Sequence, residues 1–405
     1  MKKNSDFTIL IAARNAAATI ERAMRSALAE TSCRVILIDD QCTDETVPLA
    51  VSCAGRKLRV LKTTAPGGIP VARQVGLDAI ETKYAAWLDA DDEWIAGRAC
   101  RLKSALAGGA EVATESIALH DGITGLTLGR LTIPSFLKLH GGWVRLFERN
   151  YLPGDTQMAF QTQSFRAAGG YDQEVFGAES FDLLLRALRS GARLALGEGT
   201  GYRMYSYPGS VSRNLKRQRA ALEVALRKHS YNDVEILYRK FGFSDRITAW
   251  GLVSFALFCN DSETALAYLK RACSSKAFQA HVLEPDGPCH LPEGWRQSFY
   301  YGTILLLLER HTKEAVEALI DAEMQQPTAE GCNNLGVALA RIGKTKRARH
   351  CFSEALKRFP GYLDAQLNCA SEKPKAITSH QLRSHPARLS YPRSRLQGKQ
   401  YFFYG

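Results

Sequence analysis

The chain has 405 residues, of which 45% are hydrophobic and 23% are charged, proportions that are ordinary for a soluble globular protein and exclude a low-complexity or fibrous chain. This length predicts two or three domains. The formal net charge is +12, but seven basic residues and one acidic residue lie in 371–405. Half of the excess therefore belongs to a tail, which we expect to be solvated and disordered, and we expect no nucleic-acid partner.

The cysteines and the start of the chain predict a cytoplasmic protein. Ten cysteines are scattered without a CxxC pair or a histidine cluster, a pattern that does not support a zinc site and is typical of a reducing compartment. The apolar run at residues 7–13 has the length of a strand rather than of a signal peptide. The run at 249–259 is shorter than the roughly 18 residues that span a bilayer. The basic tail suits peripheral contact with the inner face of a membrane.

The first hundred residues alternate between strand and helix patterns. The predicted strands are residues 7–12, 34–38, 58–61 and 84–88, and amphipathic or capped helices separate them. This rhythm predicts a Rossmann-like α/β domain with a mostly parallel sheet. In such sheets, ligands bind at the carboxyl ends of the strands. The polar residues predicted at those ends are Arg14, Asn15, Asp39, Asp40, Asp89, Asp91 and Asp92.

The segment Asp89-Ala90-Asp91-Asp92 is a candidate metal site. Alternation along a strand end places Asp89 and Asp91 on the same side, where their carboxylates repel each other unless a cation is present. Mg²⁺ or Mn²⁺ prefers one or two carboxylates together with phosphate oxygens. The alternative for such a short motif is a solvated acidic turn.

After residue 213 the pattern becomes almost wholly helical and repeats. Small, aromatic and proline positions between Cys332 and Pro360 follow the tetratricopeptide pattern, and 315–327 repeats its second half. A weaker copy lies at 265–272, so we expect about three stacked repeats that recruit a protein partner or mediate self-association. The predicted organisation is an α/β domain at 1–215, a helical linker at 216–245, helical repeats at 246–370 and the tail at 371–405. The alternative is a set of unrelated amphipathic helices.

Four segments of the first domain, in order, resemble family-2 glycosyltransferases, which have the GT-A fold. They are the strand and turn at 9–20, IDDQCTDET at 38–46 (similar to VVDDGSTDGT), PVARQVG at 70–76 (similar to SAARNxG) and WLDADDEW at 87–94 (similar to FLDADD). The resemblance covers about residues 7–213. It implies that a nucleotide-sugar donor contacts Ala13, Asn15, Asp39, Asp40, Arg73 and Asp89, and that Asp91, with Asp89, binds Mn²⁺ or Mg²⁺. The alternative for Arg73 is a surface salt bridge.

The acceptor half resembles the family less closely. Gly169–Asp172 is similar to a GGFD turn, and the segment from Glu179 is similar to an EDxDLxLR helix, in which Ser180 replaces the acidic residue usually proposed as the base. An inverting transfer needs a carboxylate to accept the proton of the acceptor hydroxyl. Glu179 is the first candidate and Asp182 the second, and either could instead be structural.

The end of the resembling region departs from the family once more. Residues 202–205 and 209–213 resemble the YRxH and GSxSR pieces, but Tyr205 replaces the histidine. The resemblance thus implies an inverting glycosyltransferase that uses a UDP- or GDP-linked sugar, with a cell-surface saccharide as the expected acceptor. Two alternatives remain: a peptide glycosyltransferase of the glycocin type, since a domain of this kind followed by tetratricopeptide repeats resembles those enzymes, and a catalytically lapsed scaffold that acts through its repeats.

Overall fold

The computed structural model describes residues 5–152, 157–207, 215–274, 293–360 and 362–379. Two compact units divide the chain. Of the described residues, the first unit contains those up to 133 together with those between 150 and 228, and the second contains 134–149 and those from 229 to 379. The second unit therefore includes a short segment from the middle of the predicted α/β domain.

A mixed sheet forms the centre of the first unit. The strands among the described residues are β1 (Phe7–Ala13), β2 (Arg34–Asp39), β3 (Leu58–Lys62), β4 (Tyr84–Trp87), β5 (Glu93–Trp94), β6 (Val112–Asp121), β7 (Thr127–Leu131), β8 (Ala159–Gln161) and β9 (Leu194–Ser206). Their order is β3-β2-β1-β4-β8-β6-β9-β5, with β7 on β6. Strands β3, β2, β1 and β4 run parallel. The four strands predicted from the sequence are confirmed, as is the GT-A-like architecture.

The register of the parallel strands places their carboxyl ends at one edge. Ala13 is paired with Asp39, and Leu10 with Trp87. The strands are continuous apolar runs because helices cover them: Ile9, Leu10, Leu37 and Leu88 are fully buried. The polar residues that follow β1, β2 and β4 are consequently brought to the same edge of the sheet.

Helices α1 to α7 belong to the first unit. They are α1 (Ile20–Ala29), α2 (Thr46–Ala54), α3 (Gly68–Asp78), α4 (Arg98–Ala107), α5 (Thr162–Ala167), α6 (Glu179–Arg189) and α7 (Leu215–Leu226). Helix α1 buries Ile20, Ala23, Met24 and Ala27, which form one apolar face. The segment similar to an EDxDLxLR helix is helical in the structure and forms α6, which begins at Glu179.

The second unit is helical. It contains the 3₁₀ turns Ser135–Lys138 and Gly142–Phe147, followed by α8 (Tyr231–Lys240), α9 (Asp245–Phe258), α10 (Ser262–Ser274), α11 (Glu293–Leu307), α12 (Thr312–Gln325), α13 (Ala329–Arg341), α14 (Thr345–Arg358) and α15 (Leu363–Ala370). Helices α9 and α10, α11 and α12, and α13 and α14 form three packed pairs at the positions of the three predicted repeats. No helix within the described ranges combines the length and apolarity that crossing a bilayer requires.

Two glycines explain the close approach of the paired helices. A Cβ atom at Gly302 would lie 2.7 Å from Cγ of Leu319, and one at Gly336 would lie 2.5 Å from Cε1 of Phe352. These distances are too short for real Cβ contacts. The repeat offset of 34 residues between the two glycines thus corresponds to the same packing contact in successive helix pairs.

The region between and after the predicted domains differs from the sequence pattern. Residues 216–245, predicted as a linker, contribute α7 to the first unit and α8 to the second. Residues 371–379, predicted as the start of a disordered tail, are hydrogen-bonded to α13 and α15. The remainder of the tail lies outside the described residues.

Candidate active site

The turns after β1 and β2 are hydrogen-bonded to each other. Asp40 N donates to Ala13 O at 2.9 Å, and Thr43 N donates to Asn15 Oδ1 at 2.8 Å. Asn15 has a φ of +52°, a left-handed conformation that asparagine tolerates better than most residues. The structure therefore brings together the residues predicted at the ends of β1 and β2.

Asp39 and Asp40 are both buried but have different partners. Asp39 Oδ1 accepts from Cys42 N at 2.6 Å, and its Oδ2 lies 3.8 Å from Lys62 Nζ. Asp40 accepts from the backbone N–H groups of Gly67 and Gly68, both at 3.1 Å. Asp40 therefore holds the start of α3, whereas Asp39 contacts the turn at Cys42 and the side chain of Lys62.

The carboxylates after β4 also divide by role. Asp92 is fully buried; its Oδ2 accepts from the Tyr202 hydroxyl at 2.8 Å and its Oδ1 from Tyr205 N at 2.8 Å. Burial and the neighbouring Asp91 and Asp89 raise the pKa of Asp92 well above its ordinary value. These hydrogen bonds attach the loop after β4 to β9, so Asp92 is not a candidate metal ligand.

Asp91 is the carboxylate with the fewest protein partners. Arg22 donates to its backbone oxygen, but no side chain in the described part of the chain forms a hydrogen bond or an ion pair with its carboxylate. Burial, followed by repulsion from Asp89, raises the pKa of Asp91 to about 6. A divalent cation beside Asp91 would offset the cost of burying its charged carboxylate next to Asp89.

Arg73 on α3 connects the two halves of the site. Its side chain is 3% exposed, and its guanidinium lies 3.1 Å from Asp89 Oδ1 and 3.1 Å from Glu179 Oε1. It also donates to the Ser180 hydroxyl. The surface salt bridge considered from the sequence is thus replaced by a buried one, because α3 turns this side chain toward the start of α6.

Glu179 and Asp182, the two candidate bases, lie on α6 with different neighbours. Glu179 accepts from Gly177 N at 2.8 Å as well as pairing with Arg73. Asp182 is fully buried and pairs with Arg186 at 2.7 Å and Lys228 at 2.8 Å. Glu179 therefore shares a cation with Asp89, whereas Asp182 pairs with two other cations.

Several contacts at the site have no signal in the sequence. Gln157 Nε2 donates to Asp89 Oδ2 at 3.2 Å. Arg22 on α1 donates to Asp91 O and lies 3.7 Å above the Tyr205 ring. The Tyr205 hydroxyl donates to Glu93 at 3.0 Å. These contacts join residues far apart in the chain, so no local motif predicts them, and 209–213 lies outside the described residues.

The donor set at the end of β4 fits a divalent cation held in part by substrate. Among the residues that the structure describes, no group of three or more His, Cys, Asp and Glu side chains has the arrangement of a metal site. Two carboxylates, Asp91 and Asp89, are nevertheless sufficient when diphosphate oxygens complete the coordination of Mg²⁺ or Mn²⁺. The raised pKa of Asp91 is consistent with this use.

Comparison with known proteins agrees with the geometry. Residues 8–167 match the family described as Glycosyl transferase family 2, and 329–362 match a tetratricopeptide repeat. Residues 8–167 are therefore similar to family-2 glycosyltransferases. The matched range includes the carboxyl ends of β1, β2 and β4 but ends before α6, so Glu179 and Asp182 lie outside it.

Relatives in two collections are consistent with this assignment. The succinoglycan biosynthesis proteins ExoO and ExoU of Rhizobium meliloti (strain 1021) are 29% and 32% identical, over 56% and 49% of this chain. The chain covers 70% of ExoO and 61% of ExoU. A crystal structure of S. aureus TarS 1-349 in complex with UDP-GlcNAc has a TM-score of 0.51 at 13% identity, over 79% of this chain and 91% of that one. This likeness shows a shared fold.

Proposed function

We propose that this glycosyltransferase is an inverting enzyme that moves a sugar from a UDP- or GDP-linked donor to a saccharide acceptor. One observation carries the proposal. Arg73 holds Asp89, at the end of β4, and Glu179, at the start of α6, at 3.1 Å each. An acidic pair joined by one buried cation supports a donor-side and an acceptor-side carboxylate that act at one reacting centre.

The donor side is formed by the ends of β1, β2 and β4. Asp39 can accept a hydrogen bond from an N–H group of the base, and Asn15 with Ala13 lines the turn beside it. Asp91, with Asp89, would hold Mn²⁺ or Mg²⁺, which would neutralise the charge that develops on the departing diphosphate. Arg73 orients Asp89, and Gln157 binds the other oxygen of the same carboxylate.

Glu179 is our choice for the general base. A carboxylate must accept the acceptor proton as the hydroxyl attacks the anomeric carbon, and the Ser180 hydroxyl cannot do so. Asp182 is also a carboxylate, but its ion pairs are with Arg186 and Lys228 rather than with the cation that binds Asp89. The Arg73 contact would keep Glu179 oriented until the acceptor takes its place beside it.

The comparison of Glu179→Gln with Asp182→Asn tests this choice. We expect kcat for transfer to fall by about 10²–10⁴ in Glu179→Gln, the usual contribution of a general base. Asp182→Asn should mainly lower the melting temperature, and its fall in kcat should be smaller than that of Glu179→Gln. A loss of only a few-fold in both variants, with donor binding retained, would exclude both residues as the base.

A second candidate function is a catalytically lapsed domain that acts through the helical repeats. The contacts that favour it are those of Arg73 with both Ser180 and Glu179, which would hold the candidate base away from an acceptor. The two functions differ in a simple assay of the purified protein with Mn²⁺ and a panel of UDP- and GDP-sugars. Absence of donor hydrolysis together with absence of any nucleotide-induced thermal shift would favour the lapsed domain.

The acceptor and the location are part of the same proposal. ExoO and ExoU are named for the biosynthesis of succinoglycan, a glycan, which favours a saccharide over a peptide acceptor. We place the reaction in the cytoplasm, with contact to the inner face of the membrane, and assign a protein partner or a second copy of the chain to the repeats. Transfer from the best donor to lipid-linked or soluble oligosaccharides measures the acceptor class directly.

A further inference from the structure

Residues 375–379 lie against the last helices of the second unit as an extended segment without helix or strand pairing. Thr378 and Ser379 are buried, and Ile377 packs against the apolar core of the repeats. The sequence predicts none of this, since the segment is short and lies within the basic tail that we expected to be disordered. We name residues 375–379 the strap.

Three asparagines recognise the main chain of the strap. Asn333 and Asn334 on α13 are fully buried, and Asn368 on α15 is 2% exposed. Asn368 Oδ1 accepts from the N–H groups of Lys375 at 3.0 Å and Ala376 at 2.9 Å. The amide groups of Asn333 and Asn368 both donate to Ala376 O, at 3.0 Å and 2.8 Å.

The strongest recognition is at Thr378. Asn334 binds its backbone twice: Thr378 N donates to Asn334 Oδ1 and Asn334 Nδ2 donates to Thr378 O, each at 2.9 Å. The Thr378 hydroxyl donates to Asp364 Oδ2 at 2.7 Å and contacts the Tyr362 hydroxyl. A side-chain amide that pairs with both the N–H and the C=O of one residue recognises extended backbone, while Asp364 and Tyr362 select a hydroxyl side chain.

The strap is held mainly by polar contacts and is incompletely packed at its entry. A cavity of about 240 Å³ separates residues 371–374 from α13 and α14, and Arg341, Arg349 and Lys373 are among its lining residues. Ile377 is the strap side chain that packs on the apolar core. Hydrogen bonds of this kind are replaceable by those of another extended chain, because each adds only modestly to net stability.

We propose that the asparagine cluster is a peptide-binding groove, which the strap occupies in cis and closes to a protein partner. That partner would present an extended segment with a threonine at the place of Thr378. The groove would open when such a segment displaces the strap. The proposal is independent of the proposed catalytic function, because it rests on the second unit alone.

A labelled peptide with the sequence of residues 373–379 tests the proposal on the full chain. We expect weak binding to the unmodified protein, because the strap competes. In Thr378→Pro, which removes the N–H that donates to Asn334, binding should become tighter by on the order of tenfold or more. Adding Asn334→Ala to that variant should abolish the gain, since it removes the amide that pairs with the peptide.

Two methylated peptides provide the matched control. N-methylation at the position of Thr378 removes a donor that Asn334 binds, whereas the N–H of Ile377 forms no hydrogen bond among the described residues. Binding should survive methylation at the second position and be lost at the first. Equal binding of the two peptides would overturn the proposal.

The peptide-binding result can be interpreted only if the protein stays folded when the strap leaves the groove. Helical circular dichroism and melting temperature are compared between the unmodified protein, Thr378→Pro and a second release variant, Ile377→Ser. A folded release variant that binds no peptide contradicts the proposal. Unfolding of the helices in both variants also contradicts it, because the strap would then be a structural part of the last repeat.

Discussion

The guanidinium of Arg73 is shared between two carboxylates in a place with little water. Its side chain and that of Glu179 are each 3% exposed, whereas the Asp89 side chain is 32% exposed. Desolvation penalises every charge in such a cluster, so the cluster is stable only while the charges balance. The buried Glu179 is the residue most dependent on this single cation.

Replacement of Arg73 should therefore be more harmful than loss of an ordinary salt bridge. In Arg73→Met the Glu179 carboxylate is buried without its cation, and we expect the free energy of unfolding to fall by about 3–5 kcal/mol. The double variant Arg73→Met/Glu179→Gln should recover part of the loss, because the uncompensated charge is then absent. Denaturant unfolding of the two single variants and the double variant measures the coupling. Strictly additive losses would contradict the shared role of Arg73.

Asp91 makes the stability of the folded protein fall as the pH rises, which is the opposite of the effect of a salt-bridged carboxylate. Its pKa is raised from 3.8 to about 6 by burial and by Asp89. Between these two values the folded state binds more protons than the unfolded state, so this group lowers stability as the pH rises through the window. Above about pH 6 the full penalty is present.

Asp91→Asn should remove this penalty when no divalent cation is present. We expect the variant to be more stable than the unmodified protein by up to about 3 kcal/mol at pH 7.5, and similar to it near pH 4, since one pKa unit corresponds to about 1.36 kcal/mol. Denaturant unfolding in the presence of a chelator measures both. Asp78→Asn, at an exposed acid that pairs with Gln74, should show no such increase at pH 7.5. If Asp91→Asn were destabilised at pH 7.5, the assigned environment of Asp91 would be wrong.

The sequence predicted the place of these acidic residues better than their individual roles. The alternation of Asp89 and Asp91 follows from strand geometry, and the carboxyl-end rule places Asp39 and Asp40 near them. The difference between Asp91 and Asp92 depends on Tyr202, which is more than a hundred positions away. The difference between Glu179 and Asp182 likewise depends on Arg73 and Lys228.

At the scale of elements, the start of α3 depends on a glycine. Gly68 has a φ of +74°, and a Cβ atom there would collide with the ring of Phe176. Its N–H donates to Asp40 Oδ2 at 3.1 Å, so this turn holds the helix that carries Arg73. The motif at 70–76 predicts the helix but contains no information on the glycine that precedes it.

Gly68→Ala should destabilise the protein by more than the cost of placing an alanine in the left-handed conformation. A left-handed conformation costs an alanine about 1–2 kcal/mol, and the contact with Phe176 adds to this. Gly191→Ala is the control, because Gly191 has a φ of +100° with no atom within 4 Å of a built Cβ. The difference in melting temperature between the two variants measures the steric contribution of Phe176. Equal losses would show that this contact is relieved by a small movement of the ring.

Local patterns predicted the regular elements and missed those held by distant contacts. The strands β1 to β4 and the paired helices follow from apolar runs and from a repeat of about 34 residues. The strap at 375–379 has no apolar periodicity, and part of its hydrogen bonding is to Asn333 and Asn334, more than forty positions earlier. An element held in this way is visible only when the fold is known.

At the scale of the whole molecule, the order of the two architectures follows from the sequence, but their boundaries do not. The change from alternating strands and helices to helices alone predicts an α/β domain before a helical repeat domain. The second unit also takes residues 134–149, which lie in the middle of the first in sequence. Their 3₁₀ turns have no repeat signature, so a pattern of period 34 cannot find them.

We expect the edge of the sheet at β1, β2 and β4 to bind a nucleotide sugar together with a divalent cation held by Asp91. Calorimetric titration of UDP- and GDP-sugars, with and without Mn²⁺, tests it most directly. We predict binding of at least one donor that Mn²⁺ strengthens in the unmodified protein and in Asp78→Asn, and a loss of that strengthening in Asp91→Asn. Donor binding that is indifferent to Mn²⁺, or that is strengthened equally in Asp91→Asn, would contradict the claim.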